Sequence, residues 1–347
     1  MPHRIGGSEQ TKVFRSLQAN YGRLRNKEYF GDVMQRLVIC VLLLAAMSAQ
    51  GAGTAPGAKQ QVLWDRLKVA VADVEQRLDG VLGVAILDLN SGQKLLIRPD
   101  EVFPQASSIK IAVLAELYHQ AEQSAQGVGG KVTLKDPYVV RAADIVADSA
   151  ILGGLTPGLT SLTNRDLATM MVAVSDNSAT NVLIDRVGMD NVVHLTGSLG
   201  LVHTQLRRKM MDLKAAAEGR ENISTPREMM ELLEQLYRGK VIGPPLLDDF
   251  FNVLATHKDS WIPRDLPAEL KIANKPGELE GVRNDSGVVF LSNRPYVICV
   301  MTTYLASERS GEEAIAKISS LAYGMFDRLS RASDLGRVIS PGNGGVR

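Results

Sequence analysis

Strand-like segments lie near both ends of the chain, and a long helical stretch separates them. Alternating or β-branched runs bounded by turn residues occupy residues 81–89, 93–98, 270–274, 288–291 and 297–304. Apolar residues at helical spacing dominate from residue 107 to about residue 254. A sheet formed by both ends must close around the intervening helices, so we predict an α+β fold with three layers (α/β/α). In it, the first and last helices flank an antiparallel sheet, and a helical lobe is inserted.

This arrangement divides the main part of the chain into two lobes. The sheet lobe is predicted to comprise residues 58–106 and 255–330, and the helical lobe residues 107–254. Residues 331–347 are predicted to form a flexible tail. A cleft between the two lobes is the natural place for a functional site.

Residues 34–52 have the pattern of a secretory signal peptide. A short basic region precedes an apolar run at residues 37–47, and small residues follow. That run is shorter than the ~20 apolar residues that span a bilayer. Because the signal-peptide pattern begins at Met34, translation is predicted to start there, with residues 1–33 as an N-terminal extension or an upstream artefact. We expect a bacterial protein exported by a Sec-type signal, periplasmic or secreted, with no stable membrane insertion after signal cleavage.

Charge and histidine spacing argue against two classes of function. The formal net charge of +1 provides no basic field, so no nucleic-acid partner is expected. The five histidines show no paired ligand spacing, so we expect no metal and no other cofactor. Nothing in the sequence requires more than a monomer.

Ser107 and Lys110 are the first candidates for catalysis. They are three residues apart where an apolar, alanine-rich helix begins, which puts hydroxyl and amine on one face. A helix N-terminus also carries unpaired N–H groups that favour negative charge developing near the serine. However, Ser-x-x-Lys is frequent by chance, with the serine as a helix cap and the lysine in solvent. The assignment therefore needs further partners.

Two more motifs can supply these partners. Ser-Asp-Asn at 175–177 separates two apolar helical stretches and is predicted to lie on an inter-helical loop, although helix capping explains it equally well. Lys-Pro-Gly at 275–277 follows a strand-like segment and precedes a polar, hairpin-like turn at 278–287. By itself it is a solvated lysine beside a turn. The three motifs together, in this order and in these contexts, are far more specific than any one of them.

With these motifs the chain resembles the class A β-lactamase family, whose three catalytic motifs are Ser-x-x-Lys, Ser-Asp-Asn and Lys-x-Gly. The flanking segments at 101–107, 175–181 and 224–230 are also similar to family segments. The resemblance covers about residues 60–330. It implies a serine β-lactamase-like fold for residues 58–330.

The resemblance also implies roles for these residues. Ser107 would attack the lactam carbonyl to form an acyl-enzyme, and unprotonated Lys110 could accept its proton. Ser175 would pass a proton to the departing nitrogen, and Asn177 would hold the side-chain amide of the substrate. The backbone N–H groups of Ser107 and Glu278 would form the oxyanion hole.

The third motif carries the expected recognition of the substrate carboxylate. Lys275 and Gly277 match the family pattern, and Lys275 would also help to depress the pKa of Lys110. Arg283, on the far arm of the turn, is the candidate partner of Lys275. Pro276 replaces the usual threonine and has no hydroxyl, so carboxylate binding is expected to be weaker.

The loop to which the resemblance assigns deacylation differs from the family pattern. Met210 occupies the position of the glutamate that activates water, and Lys214 the position of an asparagine. Asp212 is the first candidate replacement, and Glu218 with Asn222 keeps the family spacing in a shifted register. If neither acts, the acyl-enzyme persists because water lacks a general base.

Three functions remain open from the sequence. The first is a secreted serine hydrolase that opens the β-lactam amide bond. The second is a penicillin-binding DD-peptidase or esterase that uses the same residues on peptidoglycan peptides. The third is a covalent β-lactam sensor that acylates without turnover, for which Met210 would be the cause.

Overall fold

The computed structural model describes residues 57–333 and 335–338. The predictions for residues 1–33 and 34–52, and for the tail beyond residue 338, lie outside the described residues. The helices are α1 (Ala58–Arg77), α2 (Lys110–Gln126), α3 (Asn164–Ala173), α4 (Asn177–Val187), α5 (Met189–Ser198), α6 (Leu213–Ala217), α7 (Pro226–Tyr237), α8 (Leu246–Leu254) and α9 (Glu308–Ser330). The strands are β1 (Val81–Asp88), β2 (Lys94–Ile97), β3 (Phe103–Pro104), β4 (Pro137–Val139), β5 (Ser161–Thr163), β6 (Ile223–Ser224), β7 (Ile272–Leu279), β8 (Val282–Val289) and β9 (Tyr296–Thr303).

Both ends of the chain contribute to one five-stranded sheet. Its strand order is β2-β1-β9-β8-β7, and every neighbouring pair is antiparallel. The N-terminal strand β1 and the C-terminal strand β9 pair over their whole lengths, from Val81 opposite Thr303 to Asp88 opposite Tyr296. Strand β7 lies at one edge. The predicted antiparallel sheet is confirmed.

Helices cover both faces of this sheet, which gives the predicted three layers. On one face, α1 and α9 pack on β1, β8 and β9 through an apolar core in which Tyr296 stacks on Phe326 at 4.1 Å between ring centroids. On the other face, α7 and the helical lobe enclose a second core. Among the helices of residues 57–333 and 335–338, none combines the length and the apolar character needed to cross a membrane.

Helix α2 is the buried centre of the helical lobe. Eleven of its seventeen residues are buried, because α4, α5 and α8 pack around it. A helix that is enclosed on several sides is fixed in position by packing. Its first residue is Lys110, so this packing also fixes the start of the helix.

Local capping fixes the ends of the helices around α2. Thr163 and Asp166 form the predicted capping box of α3, each side chain accepting the other residue's backbone N–H. The Asp176 side chain accepts from Ala179 N and begins α4. The segment between α3 and α4 is therefore short, as predicted for the Ser-Asp-Asn motif.

The polar stretch 278–287 lies in a hairpin, as predicted, but its turn is much shorter than expected. Most of it forms β8, and the turn is confined to Glu280 and Gly281, where Gly281 has φ = 67°. Asn284 and Asp285 are tolerated inside this strand because their side chains have hydrogen-bond partners. The buried Asp285 carboxylate accepts hydrogen bonds from Trp261 N (3.1 Å), Ile262 N (2.9 Å) and Asn274 Nδ2 (2.8 Å).

Gly277 allows β7 to lie directly against the turn that precedes α2. A Cβ atom at this position would lie 2.5 Å from the carbonyl oxygen of Gln105 and 2.8 Å from Ser108 Oγ. In the same contact, Ser108 Oγ donates a hydrogen bond to the carbonyl of Lys275 at 3.1 Å. The sheet edge and the start of α2 are therefore in close contact only because residue 277 has no side chain.

We expect Gly277→Ala to lower the free energy of unfolding by about 1–3 kcal/mol, because the added methyl group overlaps backbone atoms that cannot move aside easily. Gly324→Ala is the matched control. Gly324 lies within α9, and a Cβ atom added there would meet no other atom within 4 Å. This control should stabilise the protein by about 0.5–1 kcal/mol. Urea denaturation of both variants tests the pair, and equal effects would contradict the packing argument.

Candidate active site

Ser107 lies on a 3₁₀ turn, Ala106–Ile109, that leads directly into α2. The residue before it, Ala106, has φ = 48°, a left-handed conformation that alanine rarely adopts. The turn is held from both sides, because Gln105 N donates to Asn222 O at 2.7 Å and Ser108 Oγ bonds to β7. Unusual backbone that is held this firmly is a frequent property of reactive sites.

Lys110 is completely buried, with 0% of its surface exposed. Its ammonium nitrogen lies 2.9 Å from Ser175 Oγ, 2.7 Å from the Ser175 carbonyl and 3.0 Å from Asn177 Oδ1. All three hydrogen-bonding positions of the amine are thereby used. Lys110 is not the solvated surface lysine of the simpler explanation.

Ser175 Oγ is the atom at which the three motifs meet. It lies 2.9 Å from Ser107 Oγ, 2.9 Å from Lys110 Nζ and 3.2 Å from Lys275 Nζ. Ser175 has φ = 56°, so its backbone is also in the left-handed region. Hydroxyl and amine groups therefore form one continuous hydrogen-bonded series from Ser107 to Lys110.

Burial lowers the pKa of both lysines. For Lys110, loss of water is the main cause and the neighbouring Lys275 charge adds to it, so its pKa lies well below 10.5. The pKa of Lys275 is lowered to about 7, by burial first and then by Lys258. An amine whose pKa is depressed in this way can be neutral, and hence a base, near neutral pH.

These groups face a cleft of about 360 Å³ between the two lobes. Asn177 also lies there, at the start of α4. The lining residues are Ser107, Asp148, Val172, Ala173, Val174, Ser175, Asn177, Lys258, Asp259, Lys275, Pro276 and Glu278. The structure thus brings together the predicted residues Ser107, Lys110, Ser175, Asn177 and Lys275.

Glu278 directs its backbone N–H toward the cleft. Its partner in the neighbouring strand is Arg283, and both the N–H and the carbonyl of Arg283 bond to Thr302 Oγ1 in β9. Because the backbone groups of Arg283 face β9, Arg283 and Glu278 form a pair without backbone hydrogen bonds between them, and the N–H of Glu278 points outward from the edge strand β7. Pro276 lies two residues before Glu278 and has the same orientation in β7. An edge strand tolerates proline there because that position makes no backbone N–H hydrogen bond to β8.

Arg283 does not line the cleft, although it shares a face of the β7–β8 hairpin with Glu278. Its guanidinium bonds to Glu312 at 3.0 Å, lies 3.3 Å from Glu308 and donates to two backbone carbonyls of the hairpin. The predicted partner of Lys275 is thus engaged by two carboxylates of α9. A free cation is not available at this position.

Met210 occupies the loop position that was predicted from the sequence. Asn181, in α4, holds the backbone of Met210 with both ends of its amide, at 2.9 Å to N and 3.0 Å to O. The Met210 side chain is buried in the apolar core of the helical lobe. It has no group that can take a proton.

The structure does not bring the predicted replacement base, Asp212, into the cleft. Its exposed carboxylate caps α6 by accepting from Ala215 N at 2.9 Å. Glu218 is also exposed and pairs with Arg220. Asn222 instead stabilises the loop, because its side chain accepts from Arg207 N and Arg208 N.

Three charged residues that line the cleft were not predicted from the sequence, namely Asp148, Lys258 and Asp259. They lie outside the motifs, and charged residues in loops carry no signal that distinguishes them from ordinary surface residues. Lys258 donates to Leu254 O at 2.9 Å, and burial lowers its pKa to about 8. Within residues 57–333 and 335–338, no group of three or more His, Cys, Asp or Glu side chains is arranged to hold a metal ion.

This chain matches a known protein family over most of its length. The profile of the beta-lactamase enzyme family matches residues 66–326. Beta-lactamase SME-1 of Serratia marcescens is 26% identical over 88% of this chain and 100% of its own length. The crystal structure of a beta-lactamase from Sphaerobacter thermophilus is 31% identical, with a TM-score of 0.68, and the match covers 76% of this chain and 98% of that one.

A second kind of solved structure is also similar. It is a leucine-to-glutamate mutant of PBP-A, an acyl-enzyme complex with penicillin G, at 26% identity and a TM-score of 0.67. The match covers 76% of this chain and 97% of that one. The family profile spans well over half of the chain, and the structural match extends over both lobes. This chain belongs to the beta-lactamase enzyme family, as a class A-type serine hydrolase.

Proposed function

We propose that this protein reacts with β-lactams through Ser107, forms an acyl-enzyme, and hydrolyses it slowly. The observation that carries the proposal is the hydrogen-bonded series from Ser107 through Ser175 to the buried Lys110. A nucleophile, a proton relay and a base of depressed pKa are the parts that acyl transfer requires. The beta-lactamases among its relatives support the choice of substrate.

In the proposed acylation step, neutral Lys110 is the base. The proton of Ser107 passes through Ser175 Oγ to Lys110 Nζ while Ser107 Oγ bonds to the lactam carbonyl carbon. When the lactam C–N bond breaks, the Ser175 hydroxyl donates a proton to the departing nitrogen and regains one from Lys110. The N–H groups of Ser107 and Glu278 stabilise the oxyanion, and Asn177 binds the side-chain amide of the substrate.

Deacylation is proposed to be the slow step. Residue 210, whose backbone is bound by the Asn181 side chain, is a methionine and cannot act as a base. The carboxylates of Asp212 and Glu218 lie on the surface, outside the cleft lining. Water therefore lacks a general base, which typically contributes about 10²- to 10⁴-fold in rate. The acyl-enzyme should accumulate during turnover.

A penicillin-binding peptidase or a covalent β-lactam sensor is the second candidate. Met210 favours it, as does the similarity to PBP-A, whose acyl-enzyme complex was obtained with a variant that carries an added glutamate. Such a protein would acylate in the same way with a peptidoglycan peptide or a β-lactam, and the lifetime of the acyl-enzyme distinguishes it from a slow hydrolase.

We also propose that the chain is exported and acts as a monomer. The signal-peptide pattern at residues 34–52 supports export to the periplasm or medium. Residues 58–330 would then form the mature catalytic domain, with the sheet lobe and the helical lobe on either side of the cleft.

Ser107→Ala should abolish covalent labelling by a penicillin while leaving the fold intact, because the nucleophilic oxygen is removed and nothing larger is added. Intact-protein mass spectrometry measures the adduct, and circular dichroism checks the fold. Ser108→Ala is the neighbouring control and should still be labelled. Labelling of a folded Ser107→Ala variant would remove Ser107 from the proposed role.

Lys275→Gln should move the acidic limb of the acylation rate to higher pH. The Lys275 charge lowers the pKa of Lys110, so its removal raises that pKa and leaves less neutral base at a given acidic pH. Lys275→Arg, which keeps a permanent charge, should not move the limb in this direction. Stopped-flow acylation across the pH range measures both variants, and an unmoved limb in Lys275→Gln would contradict Lys110 as the base.

Met210→Glu places a carboxylate at the position that the family resemblance assigns to the water-activating glutamate, and it should therefore shorten the acyl-enzyme lifetime by about 10²-fold, the lower end of what a general base contributes. The Asn181 contacts are to the backbone of residue 210, so the loop keeps its anchor in the variant. Asp212→Asn is the control and should leave the lifetime unchanged. Decay of the adduct after removal of free penicillin gives the lifetime, and a longer lifetime in Asp212→Asn would restore Asp212 as the base.

A further inference from the structure

The charges of the cleft are separated by depth. Lys110 and Lys275 are buried at its base, with 0% and 2% of their surfaces exposed. Asp148, Asp259 and Glu278 line the same cleft but are exposed to solvent. Positive groups therefore lie beside the nucleophile, and carboxylates lie at the opening.

Asp148 lies next to Asn177, the residue proposed to bind the side-chain amide of the substrate. The Asn177 backbone N–H donates to the carbonyl of Asp148 at 3.3 Å, and Asn177 Nδ2 donates to the carbonyl of Ala147 at 3.4 Å. These two bonds connect the 147–148 segment to the start of α4. Asp148 and Asn177 also line the same cleft, so Asp148 lies on the side of the cleft where Asn177 would hold the substrate amide.

The structure assigns to Asp148 the role of a specificity residue: we propose that it makes the site prefer acyl side chains that carry a protonated amine next to their amide. This inference rests on the proposed function, since it concerns the substrate of that same cleft. The chemical class is an acyl donor whose side chain is cationic, such as an α-amino acyl group.

The carboxylate of Asp148 is free to bind such a group. In the part of the chain that the structure describes, this carboxylate takes part in no hydrogen bond and no ion pair. The side-chain carboxylates of Asp259 and Glu278 likewise take part in none there. The three residues come from separate segments of the chain, and all three line the cleft.

The cation at the edge of the cleft does not cancel this field. Lys258 is partly buried and donates to Leu254 O; with its pKa lowered to about 8 it still carries one positive charge at about pH 6, but the three exposed carboxylates outnumber it. Its sequence neighbour Asp259 is an exposed carboxylate of the same lining. The exposed part of the opening is therefore negative, which attracts an ammonium group and repels a carboxylate.

Three penicillins that differ at a single carbon test the proposal. Benzylpenicillin has no charge next to the side-chain amide, ampicillin has an amino group there, and carbenicillin has a carboxylate. The second-order acylation rate of each is measured at about pH 6, where an α-amino group is protonated. We expect the rates to fall in the order ampicillin, benzylpenicillin, carbenicillin.

Asp148→Asn should reduce the ampicillin-to-carbenicillin ratio of acylation rates by about 2- to 5-fold, the usual effect of one exposed charge pair. Glu280→Gln is the matched control, since Glu280 is an exposed carboxylate two residues from Glu278 but outside the cleft lining. It should leave the ratio unchanged. Salt at about 1 M should reduce the wild-type ratio, because exposed charges are screened.

The outcomes separate this inference from the proposed function. Acylation by all three penicillins with a ratio that Asp148→Asn and salt leave unchanged would overturn the inference and leave the function standing. A wild-type preference for carbenicillin would do the same. Failure of all three penicillins to acylate would overturn both.

Discussion

The candidate active site depends on two lysine amines that are buried around a single serine hydroxyl. Lys110 and Lys275 both lie within 3.2 Å of Ser175 Oγ, and neither is more than 2% exposed. Two full positive charges at this separation and depth would be costly. The cost is reduced if the amines lose protons, and this loss is what makes a lysine useful as a base. The same arrangement thus explains both the burial and the chemistry.

Holding these groups requires contributions from both lobes. Lys110 begins the buried helix α2, Ser175 lies in the short segment between α3 and α4, and Lys275 belongs to the edge strand β7. Gly277 lets the sheet edge directly contact the turn that carries Ser107. A sheet assembled from both chain ends is therefore a requirement of the site, because it places β7 beside a helix that precedes it by more than 140 residues.

The sequence predicted the sheet, the layers and the three motifs, because each depends on local periodicity or on a short pattern of reactive residues. It misplaced β8, because the polar residues 283–287 resemble a turn, and only tertiary hydrogen bonds to Asp285 make them acceptable in a strand. It proposed Arg283 for substrate binding without access to its ion partners on α9. Asp212 was chosen by spacing along the loop, but the direction of its side chain is set by the cap of α6. Asp148 and Lys258 line the cleft because of the conformation of their loops, which no sequence pattern indicated.

Pro276 has an effect on association with other chains. An uncovered edge strand offers a row of main-chain donors with which a foreign strand can pair, and proteins commonly protect such edges against aggregation. In β7 the residue at position 276 has no N–H to offer, and the 3₁₀ turn Ala106–Ile109 lies against the neighbouring part of the strand. An incoming strand could not form a regular ladder across this position. The wall of the cleft can therefore remain open to small substrates while it resists the strand addition that would join one copy of the protein to another.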